Sequence, residues 1–289
     1  MIQERINITE DGRVYMDTYI HDISGQKPSE VEAWRWKLRP HDSWQIPKRP
    51  AIIICPGGGY YMLSDREGEP VALAFMREGF DTFVLYYSLG DDSAYPGPLD
   101  DAAKAIWYVR SHAEEWGIDP DAIAVMGFSA GAHLSSLIST QWNYNGLEDR
   151  LGIPAGGAKP NAAVLGYGPY VAIERESEPG DSSLGKMLAE PPDEFNVYKY
   201  VNEGTPPLFI WHTLHDPLCS SNDALTLANA CAEKNVPYEL HIFTRGTHGM
   251  ALCDDLTDYE APLDVRPLNA QKWVELSAQW MKELFHIAP

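Results

Sequence analysis

The sequence has little cysteine, little positive charge and no long apolar run. Its four cysteines, Cys55, Cys219, Cys231 and Cys253, form no CxxC pair, so neither a disulfide framework nor a cysteine metal site is indicated. No apolar stretch approaches the roughly 20 residues that a membrane-spanning helix needs. The first residues lack the basic start and apolar stretch of a secretory signal. We therefore expect a cytoplasmic protein with reduced thiols.

The scarcity of basic residues leaves the chain strongly acidic. There are 22 lysines and arginines against 42 aspartates and glutamates, which gives a net charge of −20. Nucleic acids and anionic membranes would repel such a chain, so we expect neither as a partner. Solubility alone accounts for the charge. The negative charge also favours a neutral or cationic small-molecule ligand over a polyanion.

Motifs for cofactors are missing as well. Neither the P-loop pattern Gly-x-x-x-x-Gly-Lys-Ser/Thr nor the dinucleotide-binding pattern Gly-x-Gly-x-x-Gly occurs. No metal-ligand spacing is present either. We expect no cofactor and no metal. The 289-residue chain, with 44% hydrophobic and 22% charged residues, has the composition of a soluble globular protein with a full core.

Short apolar segments alternate with amphipathic ones along the chain. Strands are predicted at 51–55, 82–87, 123–126, 162–167, 207–211 and 238–243, and helices at 98–117, 130–138, 222–234 and 269–285. The inner face of the last helix is predicted to carry Trp273, Leu276, Trp280 and Leu284. A further helix is predicted to begin at the capping box Ser64-Asp65-Arg66-Glu67 and to end at Gly79.

This alternation predicts an α/β fold, in which a mostly parallel sheet carries helices on both faces. Antiparallel strands within residues 1–50 lead into the sheet. We expect a single domain over residues 1–289. The irregular segment 171–205, rich in Glu, Pro, Gly and Ser, is predicted to form an inserted flap over the sheet edge rather than a second domain.

The central motif is Gly127-Phe128-Ser129-Ala130-Gly131, a Gly-x-Ser-x-Gly sequence between a predicted strand and a predicted helix. A strand that turns straight into a helix holds the serine in a strained conformation, and a Cβ at either glycine would crowd the turn. The serine oxygen then projects from the turn. This context favours a nucleophilic Ser129 over an ordinary glycine turn.

Three other groups follow predicted strands, and the carboxyl ends of parallel strands meet at one edge of a sheet. Gly57-Gly58-Gly59 could aim backbone N–H groups at an oxyanion, although glycine loops are commonly plain turns. Asp216 could face the same site or could be a turn residue before Pro217. His248 lies in a glycine-flanked loop and could instead be a surface histidine.

Other histidines compete with His248 for a role. His212 and His215 shortly precede Asp216, but His212 falls inside a strand and is expected in the core. His133 would lie on the helix that leads away from Ser129, where a structural or supporting role is expected. The order Ser129, Asp216, His248, each at a strand end, is the chain order of the α/β-hydrolase triad.

These motifs resemble those of the α/β-hydrolases in the bacterial carboxylesterase and acetyl(xylan) esterase group, which is related to the hormone-sensitive-lipase-like esterases. The resemblance covers the chain from Ala51 onward. It depends on the following sequences: Cys-Pro-Gly-Gly-Gly-Tyr at 55–60, Ser-Asp-Arg-Glu at 64–67, Gly-Phe-Ser-Ala-Gly-Ala-His-Leu at 127–134, Trp-His-Thr-x-x-Asp-Pro at 211–217 and Thr-His-Gly at 247–249. Pro56, Phe128 and Ala132 depart from the lipase-like pattern of His, Asp and Gly, which favours the acetyl-esterase branch.

The resemblance implies a serine esterase acting on short acyl esters, with acetylated oligosaccharides as expected substrates. Ser129, Asp216 and His248 would be catalytic, and the N–H groups of Gly58, Gly59 and Ala130 would form the oxyanion hole. Six residues are candidates for lining the substrate pocket, although each could be ordinary core: Tyr60, Tyr61, Phe128, Tyr167, Tyr170 and Met250. The alternatives are an amide-cleaving enzyme with the same triad and a non-catalytic binding protein. A homo-oligomer is compatible with the sequence.

Overall fold

The structure is a computed structural model, and it describes residues 1–22, 48–172, 191–257 and 269–287. Within these residues the strands are β1 (Arg5–Asn7), β2 (Tyr15–Tyr19), β3 (Arg49–Cys55), β4 (Asp81–Tyr86), β5 (Ile118–Phe128), β6 (Ala162–Gly166), β7 (Leu208–Thr213) and β8 (Tyr238–Phe243). The helices are α1 (Glu69–Arg77), α2 (Gly97–Ser111), α3 (Ala113–Trp116), α4 (Ala130–Gln141), α5 (Leu147–Leu151), α6 (Ser221–Glu233) and α7 (Lys272–Leu284).

The strands form one sheet in the order β1-β2-β4-β3-β5-β6-β7-β8. β2 pairs antiparallel with β1 and β4, whereas the strands from β4 to β8 all pair parallel. This is the predicted α/β-hydrolase fold. The predicted antiparallel strands at the start of the chain are also confirmed, as β1 and β2. The parallel part matters for function because the ends of β3, β5, β6, β7 and β8 lie side by side.

Both faces of the sheet are covered, which explains why the central strands carry continuous apolar runs such as 51–55 in β3 and 122–126 in β5. In β3, Ile53 and Cys55 belong to the core cluster on the side of α2, α4 and α6. Ile52 and Ile54 belong to the cluster on the other side, with Phe75 of α1 and Trp273 of α7. All four cysteines lie in the described part of the chain, and each is a buried free thiol. Within the described residues, no helix combines the length and apolarity that crossing a bilayer requires.

The predicted helix over 98–117 is interrupted near its end. α2 ends at Ser111 and α3 begins at Ala113, with His112 between them in a non-helical conformation. The carbonyl of Tyr108 accepts hydrogen bonds from the Ser111 hydroxyl (3.0 Å) and the His112 ring (2.8 Å), so side chains compete with the regular helical bonds there. Gly117, in the left-handed region at φ 67°, ends α3 as expected.

The predicted capping box at 64–67 is wrong. Ser64 precedes a single 3-10 turn, Asp65–Glu67, and its side chain makes no capping hydrogen bond. The helix α1 starts only at Glu69. The Glu67 carboxylate turns inward instead, where the Gly57 N–H donates to it over 2.7 Å and the Tyr167 hydroxyl over 2.7 Å. A sequence pattern for capping cannot distinguish a glutamate that reaches back along its own helix from one that is buried.

The inner face of α7 agrees in part with the prediction. Trp273 is buried, but Leu276, Trp280 and Leu284 are only partly buried. Leu276, Trp280 and Leu284 nevertheless pack against the core cluster on this side of the sheet, and Ser277, Ala278 and Met281 are buried together with Trp273.

The predicted flap at 171–205 falls partly outside the described residues, which resume at 191. From there, two 3-10 turns at Asp193–Phe195 and Val197–Tyr200 pack on the sheet side that carries α4. Gln141 of α4 donates to the Glu194 carbonyl over 2.9 Å. This portion of the segment is therefore anchored to α4, and its role as a flap stays a prediction.

Candidate active site

Ser129 occupies a strained turn between β5 and α4, with φ 52° and ψ −121°. The two flanking glycines are required by close backbone contacts. A Cβ on Gly127 would lie 2.1 Å from the Gly131 carbonyl oxygen, and one on Gly131 would lie 1.9 Å from the Cys55 carbonyl oxygen. Positive φ is unfavourable for a residue with a side chain and persists only where surrounding contacts impose it. The strand, turn and helix thus fix where the Ser129 hydroxyl points.

The structure brings His248 and Asp216 to this hydroxyl. The Nε2 atom of His248 lies 2.8 Å from Ser129 Oγ, and Nδ1 lies 2.8 Å from Asp216 Oδ2. The three residues come from the loops after β5, β7 and β8, so sheet order alone accounts for their meeting. The other candidate histidines do not join them, since His212 is buried in β7 and His215 is exposed.

The Asp216 carboxylate is oriented from two sides. Its Oδ1 atom accepts hydrogen bonds from the backbone N–H groups of Leu218 (2.8 Å) and Cys219 (2.9 Å), which leaves Oδ2 for His248. Burial by itself would raise the pKa of Asp216, but the hydrogen bonds from His248, Cys219 and Leu218 outweigh it and lower the pKa. The carboxylate is therefore ionised at neutral pH and accepts the Nδ1 proton of His248.

The loop after β3 also lies beside Ser129. Gly58 and Gly59 have φ of 132° and 64°, in the region that favours glycine. Within the described residues, the N–H groups of Gly58, Gly59 and Ala130 have no hydrogen-bond acceptor, and all three residues line the same cavity as Ser129. Free N–H donors beside the Ser129 hydroxyl are suited to holding an oxyanion.

A cavity of about 510 Å³ opens over Ser129 and His248. Of the six predicted pocket residues, the structure brings only Tyr60 to its wall. Tyr61 is exposed outside the cavity, and the other four, Phe128, Tyr167, Tyr170 and Met250, are buried core residues that do not line it. Sequence reasoning missed several wall residues, including Arg66, Glu67, Phe195, Leu218 and Cys219.

One wall of the cavity is a rigid aromatic group formed by Tyr60, His133 and Phe195. The Tyr60 hydroxyl lies 2.9 Å from His133 Nδ1, and His133 Nε2 lies 3.3 Å from the Phe195 carbonyl oxygen. Because the carbonyl can only accept, Nε2 carries the proton and the tyrosine donates to Nδ1. Burial lowers the pKa of His133 to about 4, although the bond to Phe195 opposes it. His133 is therefore neutral and structural, a role the sequence had suggested.

No group of three or more His, Cys, Asp or Glu side chains suited to a metal ion occurs among the residues that the structure describes. Cys219 lines the cavity, but burial and the nearby Asp216 raise the pKa of its thiol to about 12. A protonated thiol is a poor nucleophile, so Cys219 does not compete with Ser129.

Comparison with known proteins identifies the family. The BD-FAE family model matches residues 42–231. The chain belongs to the BD-FAE family. This family consists of hormone-sensitive-lipase-like α/β-hydrolases, so the resemblance drawn from the sequence is confirmed.

Curated relatives of this BD-FAE protein include enzymes of xylan breakdown. It is 32% identical over 216 residues to endo-1,4-beta-xylanase B of Butyrivibrio fibrisolvens and 31% identical over 217 residues to an acetylxylan esterase of Xylanibacter ruminicola. These matches cover 72% and 71% of this chain, but only 33% and 42% of the relatives. The BD-FAE protein thus spans under half the length of either one.

Solved structures match over the whole chain. The carboxylesterase Cest-2923 from Lactobacillus plantarum has a TM-score of 0.83 at 25% identity, with 100% of both chains covered. An acetyl ester-xyloside bifunctional hydrolase from Caldicellulosiruptor lactoaceticus has a TM-score of 0.74 at 28% identity, covering 99% of this chain and 97% of that one. The α/β-hydrolase fold of this BD-FAE protein is therefore confirmed.

Proposed function

We propose that this BD-FAE protein is a serine esterase that hydrolyses short-acyl carboxylic esters, with acetyl esters preferred. The observation that carries the proposal is the continuous hydrogen-bond chain from Ser129 Oγ through His248 to Asp216, open to a cavity of about 510 Å³. A hydroxyl bonded to an imidazole that is itself oriented by a carboxylate is the arrangement that activates serine for acyl transfer.

The reaction proceeds through an acyl-enzyme. Ser129 Oγ attacks the ester carbonyl while its proton passes to His248 Nε2. The N–H groups of Gly58, Gly59 and Ala130 hold the resulting oxyanion, each donor contributing about 3 kcal/mol. His248 then gives the proton to the leaving alcohol as the ester bond breaks. A water molecule repeats the sequence on the acyl-enzyme, releasing the acid and restoring Ser129.

The acetyl preference is supported by the wall of Tyr60, His133 and Phe195. All three side chains are buried. Hydrogen bonds hold Tyr60 to His133 and His133 to the Phe195 carbonyl, and the Phe195 ring packs edge-on against the imidazole, so this side of the cavity cannot yield to a long acyl chain. The relatives named for acetylxylan and for acetyl esters support acetylated oligosaccharides as the alcohol part. The net charge of −20 agrees with a neutral sugar rather than an anionic polymer.

The test is a substrate panel on the purified chain. We expect turnover of p-nitrophenyl acetate and of acetylated xylo-oligosaccharides, and turnover of the matched p-nitroacetanilide at least about 10³-fold slower. Preferred cleavage of the anilide would instead support an amide hydrolase with the same triad. Failure to hydrolyse any member of the panel, together with failure to react with a fluorophosphonate probe, would indicate a binding protein on this scaffold.

Shortening Phe195 tests the acyl-length proposal. We expect Phe195→Ala to raise the ratio of kcat/KM for p-nitrophenyl butyrate to that for the acetate about tenfold, because room for two methylenes is worth roughly 0.8 kcal/mol each. The ratio is the useful measurement, since loss of folded protein affects both substrates equally. As a control, Phe285→Ala removes a partly buried phenylalanine on the α7 side and should leave the ratio unchanged. An unchanged ratio in Phe195→Ala would mean that the acyl group lies elsewhere.

A further inference from the structure

Glu67 is a buried carboxylate beside the site that the proposed mechanism does not use. Its side chain is 2% exposed, yet it borders the cavity that holds Ser129 and His248. Burial raises the pKa of Glu67, opposed by its hydrogen bonds with Tyr167 and Gly57 and by the nearby His248. Burying a carboxylate costs free energy unless it forms specific hydrogen bonds. The hydrogen-bond partners of Glu67 therefore show which parts of the structure it connects.

The first partner is the loop of the oxyanion donors. Gly57 N–H donates to Glu67 Oε2 over 2.7 Å, one residue before Gly58. Gly57 is confined at this point, because a Cβ there would lie 2.7 Å from Glu67 Oε2 and 2.9 Å from Ser129 Cβ. Any shift of the Glu67 carboxylate would therefore move the glycine loop relative to the Ser129 hydroxyl.

The second partner connects Glu67 with the histidine loop. The Tyr167 hydroxyl donates to Glu67 Oε1 over 2.7 Å and accepts the N–H of Ala251 over 3.0 Å. Ala251 lies three residues beyond His248, and the Tyr167 ring packs against the imidazole with centroids 5.2 Å apart. Tyr167 itself follows β6 with φ 38°, a conformation that needs support from its surroundings.

We propose that Glu67 is a positioning residue that joins the loops after β3, β6 and β8, and so fixes the oxyanion donors relative to Ser129 and His248. This inference depends on the proposed esterase function. Backbone N–H groups stabilise an oxyanion only when they are already in place as charge develops. Loosening the loop should thus weaken binding of the transition state more than binding of the ester.

Glu67→Gln and Tyr167→Phe test the proposal with small changes of shape. A glutamine puts an NH₂ group where a second donor already points, so the hydrogen bond to Gly57 or to Tyr167 is lost or reversed. We expect Glu67→Gln to lower kcat for p-nitrophenyl acetate about 10- to 100-fold with KM changed less than about threefold. Affinity for a trifluoromethyl ketone, which forms an oxyanion on Ser129, should fall in step with kcat.

Tyr167→Phe should lower kcat about tenfold, and the double variant should be no worse than the poorer single one, since both changes break one network. Rates are normalised to active sites titrated with a fluorophosphonate. As a control, Tyr108→Phe removes the hydroxyl of a partly buried tyrosine in α2 that stacks on His112 and does not line the cavity, and it should leave kcat and inhibitor affinity unchanged.

Amide hydrogen exchange gives a readout that does not require activity. In Glu67→Gln, exchange within segment 57–64 or 249–252 should be about tenfold faster than in the wild type, with the rest of the sheet unaffected. Unchanged exchange and unchanged kcat per active site would overturn the positioning role. A wild-type protein without esterase activity would refute the proposed function instead, while the exchange measurement would still decide whether Glu67 holds the two loops.

Discussion

Replacing Ser129 by alanine should lower kcat for p-nitrophenyl acetate on the order of 10⁵- to 10⁶-fold. Among the described residues, the Ser129 hydroxyl is the only hydroxyl held at hydrogen-bond distance from His248, 2.8 Å from its Nε2 atom. Without it no acyl-enzyme forms, and only the oxyanion donors and the cavity remain to assist attack by water. Labelling by a fluorophosphonate should disappear as well, because the probe reacts covalently with this oxygen.

The fold should survive this substitution. Alanine has a Cβ just as serine does, so the positive φ at position 129 costs the same in both proteins. We expect the melting temperature to change by only a few degrees. Ser139→Ala is the matched control, since the Ser139 hydroxyl donates only to the Ser135 carbonyl within the same helix α4, at 2.7 Å. Activity above about a tenth of wild type in Ser129→Ala would show that another group is the nucleophile.

Much of the fold could be predicted because its signals are local. The apolar run at 51–55 predicts a strand covered on both faces, and the structure covers β3 on both. The glycines at 127 and 131 predict a crowded turn, and a Cβ at either would meet backbone oxygens at about 2 Å. Elements fixed by their own residues in this way do not require knowledge of distant contacts.

The cavity wall could not be predicted, because it depends on which face of a strand end a side chain takes. Tyr60 and Tyr167 both follow strands at the same sheet edge, yet Tyr60 lines the cavity and Tyr167 turns beneath it toward Glu67. Phe195 reaches the wall from a segment 66 residues beyond Ser129 in the sequence, where no periodic pattern marks it. Glu67 fits a local capping pattern, but its carboxylate bonds to the more distant Gly57 and Tyr167 instead of capping a helix.

The role of Asp216 can be tested by a substitution that nearly preserves the shape of its side chain. Asp216→Asn should lower kcat about 10³- to 10⁴-fold. The N–H groups of Leu218 and Cys219 select the orientation in which the asparagine oxygen accepts from them. Its NH₂ group then faces His248 Nδ1, which must act as an acceptor, so the imidazole proton moves to Nε2. In that tautomer His248 points a proton at Ser129 Oγ and cannot remove one.

Asp254→Asn is a closely matched control. Asp254 also accepts, at Oδ1, from the N–H groups two and three residues later, those of Leu256 (3.1 Å) and Thr257 (3.0 Å), but it makes no hydrogen bond to His248. An asparagine oxygen can replace it there, so kcat should remain within about twofold of wild type. If kcat decreases no more in Asp216→Asn than in Asp254→Asn, Asp216 only stabilises the turn that contains Leu218 and Cys219 and does not act through His248. A large decrease confined to position 216, with the melting temperature of both variants retained, would instead require that the carboxylate acts through the tautomer of His248.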